Sequence, residues 1–266
     1  MKSFTGKTVL ITGASSGIGE AFAKKLAAEK ANLILTARSE ESLKSLAQNL
    51  EKNHGIHAHV FPADLSLPGS AKELYRQIKE SSLSVDVLVN NAGFGKNGKF
   101  LGSKIENYIS MISLNVTSLV ELSYLCLPEM LEKNDGGIIN VASTAAFIPF
   151  PFFSVYSATK WFVLSFSEGL CGEYKQTGLT IMALCPGGTA TNFFNVANPN
   201  GTLPKLKLDT SEFVAEQGLE GFLRGESCLV VGFKKYIMSL APRFFPRKTM
   251  INIALNYIKK IQNKNA

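Results

Sequence analysis

Short apolar runs bounded by glycine, proline or small polar residues alternate along the chain with longer stretches of helical period. Runs of this kind read as buried strands, and apolar positions recurring at three and four residues read as helices. Strands are expected at 7–12, 32–37, 57–62, 85–89, 137–142, 179–184 and 227–231. Helices are expected from the glycine-rich turn to about Lys30, and over Glu40–Asn53, Pro68–Ser81, Lys104–Lys133, the stretch containing Tyr156, and Ser211–Arg224. The Asn/Pro-rich segment Asn192–Leu208 has no clear period and reads as a flap. Asn115 falls inside the long helical stretch, where its side chain competes with backbone bonding. A solvent-facing position, a kink or a water site would each account for it.

A chain of 266 residues suits one large α/β domain or two small ones, with ample length for a core. The four cysteines lie far apart and form no C-x-x-C, so zinc spacing is absent and free thiols in a reducing cytosol are expected. His54, His57 and His59 cluster without matching carboxylates or cysteines and read as surface and strand residues, so no metal is expected. The start of the chain shows neither an apolar signal core nor a cleavage site, and no run of 18 apolar residues predicts a spanning helix. A cytoplasmic protein is the expectation.

The formal charge of +7 is unevenly spread. Eight Lys/Arg and no Asp/Glu lie between Lys234 and Ala266, and the rest of the chain is close to neutral. A neutral body argues against nucleic acid as a partner. We divide the chain into a body, 1–232, and a basic amphipathic extension, 233–266. Helical spacing puts Met250, Ile253, Ala254, Leu255, Tyr257, Ile258 and Ile261 on one broad face of the extension. That face either packs on the domain or a partner subunit, or rests on a membrane surface as a weak peripheral anchor.

The candidate chemistry begins at the first strand. Gly13, Ser15, Ser16, Gly17, Ile18 and Gly19 form a strand–turn–helix cradle for a dinucleotide pyrophosphate, with free N–H groups at the helix start. The second strand ends in Ala37-Arg38 where an acid would meet a 2′-hydroxyl, so the preference reads as NADP(H) over NAD(H). Asp64, followed by Leu65, is placed to accept from an adenine amino group or to cap a turn. Asn91, Ala92 and Gly93 let the backbone pass close to a cofactor ribose. Ser143 ends the fifth strand, and ligands of open α/β sheets bind at such ends. Tyr156 and Lys160 are one helical turn apart, which sets an ammonium near a phenol and favours phenolate. Phe147, Phe150, Phe152, Phe153, Phe193 and Phe194 flank the expected pocket.

In their order along the chain these elements resemble the classical short-chain dehydrogenase/reductases over about residues 5–232: Thr12 to Gly19, Asp64, Asn90-Asn91-Ala92-Gly93, Asn115, Ser143, Tyr156 to Lys160, and Pro186-Gly187 with Thr189 and Thr191. The resemblance implies a Rossmann-type doubly wound parallel sheet of seven strands in a single domain. It implies Tyr156 as general acid/base, Ser143 as donor to the substrate carbonyl, Lys160 on the nicotinamide ribose and lowering the Tyr156 pKa, and Asn115 holding a relay water. Pro186, Gly187, Thr189 and Thr191 would close on the cofactor. Ketoacyl and hydroxysteroid reductases share the basic-aromatic character of the C-terminal region. A homodimer or homotetramer acting on an apolar carbonyl or alcohol follows. A non-catalytic NADP sensor or a membrane-surface scaffold is the competing reading, and the intact Ser143, Tyr156 and Lys160 argue against the sensor.

Overall fold

Strands buried on both faces need apolar side chains at every position, and Val9-Leu10-Ile11, Leu33-Ile34-Leu35 and Val87-Leu88-Val89 supply them. The computed structural model describes residues 1–193, 197 and 208–263. Seven parallel strands form one sheet: β1 Thr8–Thr12, β2 Asn32–Thr36, β3 Ala58–Val60, β4 Val87–Asn90, β5 Gly136–Val141, β6 Leu179–Cys185 and β7 Cys228–Val230. Their order is β3-β2-β1-β4-β5-β6-β7. The chain therefore reverses its direction of progress between β1 and β4, which is where such sheets open a crevice.

The pleat sorts alternate residues into two cores. Val9, Ile11, Leu33, Leu35, Val87 and Val89 meet helices α1 Gly17–Ala28, α2 Glu40–His54 and, later in the chain, Ser211–Leu223. Leu10, Ile34 and Leu88 face the opposite way, toward α3 Ser70–Glu80 and a helix at Ser118–Lys133. The expected helix over Lys104–Lys133 is three pieces: α4 Ile105–Ile112, a π-helical turn Ser113–Thr117, and α5 Ser118–Lys133. Ile105–Lys133 is long and apolar enough to cross a membrane by length and composition. Here it is a layer of the domain, with Leu119, Leu122, Cys126 and Met130 buried. No run of 18 apolar residues had pointed to it, because polar residues interrupt it at every turn.

Helix α6, Ser154–Glu173, lies against β5 and β6. The remaining helices are α7 Ser211–Leu223, α8 Phe233–Leu240 and α9 Arg247–Asn263. Strand β3 is shorter than expected, three residues ending before Pro62, whose ring cannot donate to a ladder. The expected flap, Asn192–Leu208, lies largely outside the described residues.

A polar string crosses the centre of this apolar body. Asn90 and Asn140 stand opposite each other in the β4–β5 register. The Asn90 amide donates to Asn140 Oδ1 at 2.9 Å and to Ser123 Oγ on α5 at 3.1 Å. The Asn140 amide donates to Ser167 Oγ on α6 at 3.0 Å. One string of paired groups thus ties the two central strands to both helices that bring Asn115 and Tyr156 to the cleft.

Candidate active site

The crevice at the carboxyl ends of the strands is a cleft of about 1520 Å³. Its floor starts at the turn after β1. Gly13 and Gly17 have φ of 65° and 60°, a left-handed conformation open to glycine. Thr12 Oγ1 accepts from the backbone N–H groups of Asn91 and Ala92, each at 2.9 Å. The Asn91 amide donates back to Thr12 O at 2.9 Å. The two loops at the switch point are stitched together.

Gly13, Ser15, Ser16, Gly17 and Ile18 line the cleft, as do Arg38, Asp64, Leu65, Asn91, Ala92, Gly93, Pro186, Gly187, Thr189 and Thr191. Gly19 is not among the lining residues. A Cβ there would stand 2.2 Å from Gly13 O, so this glycine serves the close contact of helix and turn. Ser16 caps α1 by position and makes no side-chain cap bond. The first-turn N–H groups are therefore left for an anion, with a positive dipole end behind them. Thr36 Oγ1, at the end of β2 beside the cleft, is buried without a hydrogen-bond partner among the described residues. The cradle fits a dinucleotide phosphate.

Arg38 is exposed and makes no ion pair among the described residues. Asp64 Oδ1 accepts from Ser66 Oγ at 2.6 Å and Ser66 N at 3.0 Å, a turn cap. Those bonds, and behind them the Arg38 charge, hold its carboxyl below the usual carboxylate range.

Ser143, Tyr156 and Lys160 come together on the other wall. Ser143 is extended, with φ −173°, and its hydroxyl accepts from Ala145 N at 3.1 Å as it starts a short 3-10 turn. It lies beside the Tyr156 phenol in the lining of the cleft. The Tyr156 ring lies 6.0 Å from Phe153 and 5.2 Å from Phe193, centroid to centroid. Burial pushes the phenol up to about 12, and the Ser143 hydroxyl beside it pulls the other way. The net shift is opposite to the one expected from Lys160, for a geometric reason. The Lys160 ammonium donates to Val141 O at 2.7 Å and stands 5.9 Å from the Tyr156 ring centroid. It is itself buried, which lowers it to about 8.

Asn115 explains the π turn. Its amide donates to Phe94 O and Thr159 Oγ1, both at 3.0 Å, and its oxygen accepts from Phe94 N at 3.1 Å. One widened turn, of the kind that recurs at functional sites, aims this buried side chain at the loop after β4 and at α6. Thr159 in turn bonds the Tyr156 carbonyl at 2.7 Å. The side chain is thus spent on holding the loop after β4 and α6 together. Replacing Asn115 with Leu strands the buried partners. It is expected to lower the unfolding free energy by about 2–4 kcal/mol, measurable by urea denaturation.

Phe147, Phe150, Phe153 and Phe193 line the cleft, as expected. Phe152 does not. Its backbone is left-handed, φ 63°, and its carbonyl accepts from Gly98 N at 2.9 Å. Phe194 lies outside the described residues.

The extension packs on the domain. Met250, Ala254 and Ile258 are buried, one turn apart, and line the cleft with Lys235, Met238, Phe245 and Ile253. These cleft residues were missed as such, although the apolar spacing of the tail was the signal for them. Lys235 is ion-paired with Asp209 and lies across Gly187. The Arg247 guanidinium stacks 4.9 Å from the Trp161 ring centroid.

Residues 7–201 match the short chain dehydrogenase family model. The chain belongs to that family. A curated relative, the very-long-chain 3-oxoacyl-CoA reductase of Anas platyrhynchos, is 30% identical over 263 residues, covering 97% of this chain and 81% of its own. The 17-beta-hydroxysteroid dehydrogenase type 3 of Homo sapiens is 34% identical over 228 residues, covering 84% and 71%. A short-chain dehydrogenase from Sphingobium yanoikuyae in complex with NADPH superposes with a TM-score of 0.81 at 32% identity, covering 89% and 93%. A short-chain dehydrogenase/reductase from Burkholderia phymatum in complex with NAD superposes with a TM-score of 0.80 at 25% identity, covering 90% and 93%. The protein is an oxidoreductase of the short-chain class, acting on CH–OH or C=O groups with a nicotinamide cofactor.

Proposed function

We propose that the protein is an NADP(H)-dependent reductase of a ketone or aldehyde on an apolar substrate, the same residues oxidising the matching alcohol in reverse. The observation that carries this reading is the meeting of Ser143, Tyr156 and buried Lys160 in one aromatic-lined cleft at the carboxyl ends of the strands.

The residues divide the work. The turn Gly13–Gly19 with the α1 N-terminus holds the pyrophosphate, Arg38 takes the 2′-phosphate, and Asp64 and Leu65 border the adenine. Asn91, Ala92, Gly93, Pro186, Gly187, Thr189 and Thr191 wall the nicotinamide half. The bound cofactor supplies the hydride. As a carbonyl carbon is reduced, charge grows on its oxygen. Ser143 Oγ–H donates to that oxygen, and Tyr156 Oη gives it a proton. A phenol held up at about 12 is fully protonated at neutral pH, which suits the acid of the reducing direction. Lys160 binds ribose hydroxyls, and Asn115 positions Tyr156 through Thr159.

Phe147, Phe150, Phe153, Met250 and Ile258 offer an apolar wall to the substrate. Exposed Ile105, Ile109, Tyr124 and Trp161 on α4–α6 support self-association as a dimer or tetramer. Turnover of a panel of ketones and alcohols, from acyl thioesters and steroids to small carbonyls, tests the reading with both cofactors. Turnover favouring apolar ketones and NADPH is expected. Absence of turnover across the panel would remove it.

The Lys160 shift sets the pH profile. Its cation is lost as pH rises through about 8 in the free protein, whereas Tyr156 keeps its proton across that range. The kcat/KM for NADPH reports the free enzyme, so it is expected to fall above pH 8 by about tenfold per pH unit. A flat profile to pH 10 would show that charge on Lys160 does not matter for capture.

A further inference from the structure

We propose that the exposed face of residues 233–249 docks on an anionic lipid bilayer and holds the mouth of the substrate cleft at the membrane. Three large apolar side chains stand out into solvent there. Phe233 is 78% exposed, Met238 72% and Phe244 79%, and Tyr236, Ile237 and Phe245 are about half exposed. Large apolar groups gathered in one segment are uncommon on a solvated surface and mark a place where something binds. Lys234, Arg243, Arg247 and Lys248 are exposed among them. No acidic residue follows Glu226 in the chain. The one lysine of this segment that meets an acid, Lys235, meets Asp209 of the body and belongs to the inner face.

Charge decides between the occupants of such a face. A second copy related by a twofold axis would lay the patch on itself, cation against cation, with no acid in the segment to intervene. An anionic leaflet offers the opposite sign at every point, and aromatic and aliphatic side chains beside lysine and arginine match its interface. The continuity with the cleft points the same way. Met238 and Phe245 are exposed and line the cleft at once, so the surface that meets the lipid is also the rim through which an apolar substrate enters. The inner face of the tail is committed to the domain through Met250, Ala254 and Ile258, which leaves the outer face free for this contact.

The test is co-sedimentation of the full-length protein with phosphatidylcholine vesicles, with and without phosphatidylserine. Binding to the anionic vesicles at low salt is expected, weakened at high salt, with little binding to phosphatidylcholine alone. Each basic residue near an anionic leaflet is worth about fivefold in partitioning. Lys234→Glu/Arg243→Glu/Lys248→Glu is therefore expected to weaken binding by at least about a hundredfold. Phe233→Ser/Phe244→Ser should weaken it several-fold at every salt concentration. All five side chains are exposed and outside the cleft, so NADPH titration of each variant shows that the body is intact. Absence of binding at low salt, or equal binding by the charge-reversed protein, overturns the proposal. Self-association lost in Phe233→Ser/Phe244→Ser without vesicle binding would assign the face to a second copy instead. Vesicle binding is read without turnover, so its failure is separate from failure of the proposed reaction.

Discussion

Tyr156→Phe is expected to lower the turnover of any accepted ketone by about a thousandfold, the scale of losing a general acid, and to leave NADPH binding within a few-fold of the parent. The reasoning rests on what the substitution keeps. The ring retains its contacts with Phe153 and Phe193, so the wall of the cleft stands. Ser143 keeps its bond from Ala145 N and its place at the end of β5, so a carbonyl oxygen still finds a donor. Only the proton source is gone. A thousandfold loss corresponds to about 4 kcal/mol of barrier. Single-turnover kinetics and a fluorescence titration of NADPH separate the two effects. Turnover within tenfold of the parent would remove Tyr156 as the acid and move attention to water entering along the cleft.

The second large effect is on cofactor choice. Arg38→Asp replaces a cation at the end of β2 with an anion. The change is expected to raise the KM for NADPH by about 10- to 100-fold, the scale of a lost charge-assisted hydrogen bond, while the KM for NADH stays level or falls. Arg38 is exposed and pairs with no acid among the described residues, so removing it strands no partner. The new carboxylate would also stand near Asp64, which now feels the Arg38 charge. Repulsion between the two disfavours a 2′-phosphate further. Steady-state kinetics with both cofactors decides it. An unchanged KM for NADPH would mean that Arg38 does not meet the phosphate.

The fold was legible because parallel strands buried on both faces announce themselves. Runs such as Leu33-Ile34-Leu35 have one reading when glycine or small polar residues bound them. The lining of the cleft was legible where it follows strand ends: Gly13 to Ile18 after β1, Asn91 to Gly93 after β4, Ser143 after β5. Two things were not legible. The direction of the Tyr156 shift depends on how deeply two side chains are buried and where an ammonium spends its hydrogen bond, and spacing along a helix carries neither. Which groups the Asn115 side chain meets depends on the form of the kink, a π turn that no periodicity reveals. The tail lay between these cases. Its apolar spacing marked a face to be covered, and only the fold shows that the face roofs the cleft.

The string from Ser123 through Asn90 and Asn140 to Ser167 also acts as a ruler. Sliding β5 by one residue against β4 would bring Ile139 or Val141 opposite Asn90 and leave two amides unpaired in the interior. Each unpaired group costs about 1–3 kcal/mol, on top of turning every side chain of the strand to the wrong face. The alternative pairing is closed. Asn140 is three residues before Ser143, and Asn90 is two before Ala92. Locking that one pair therefore sets the relative height of the Ser143 hydroxyl and the Asn91–Gly93 loop, before any ligand arrives.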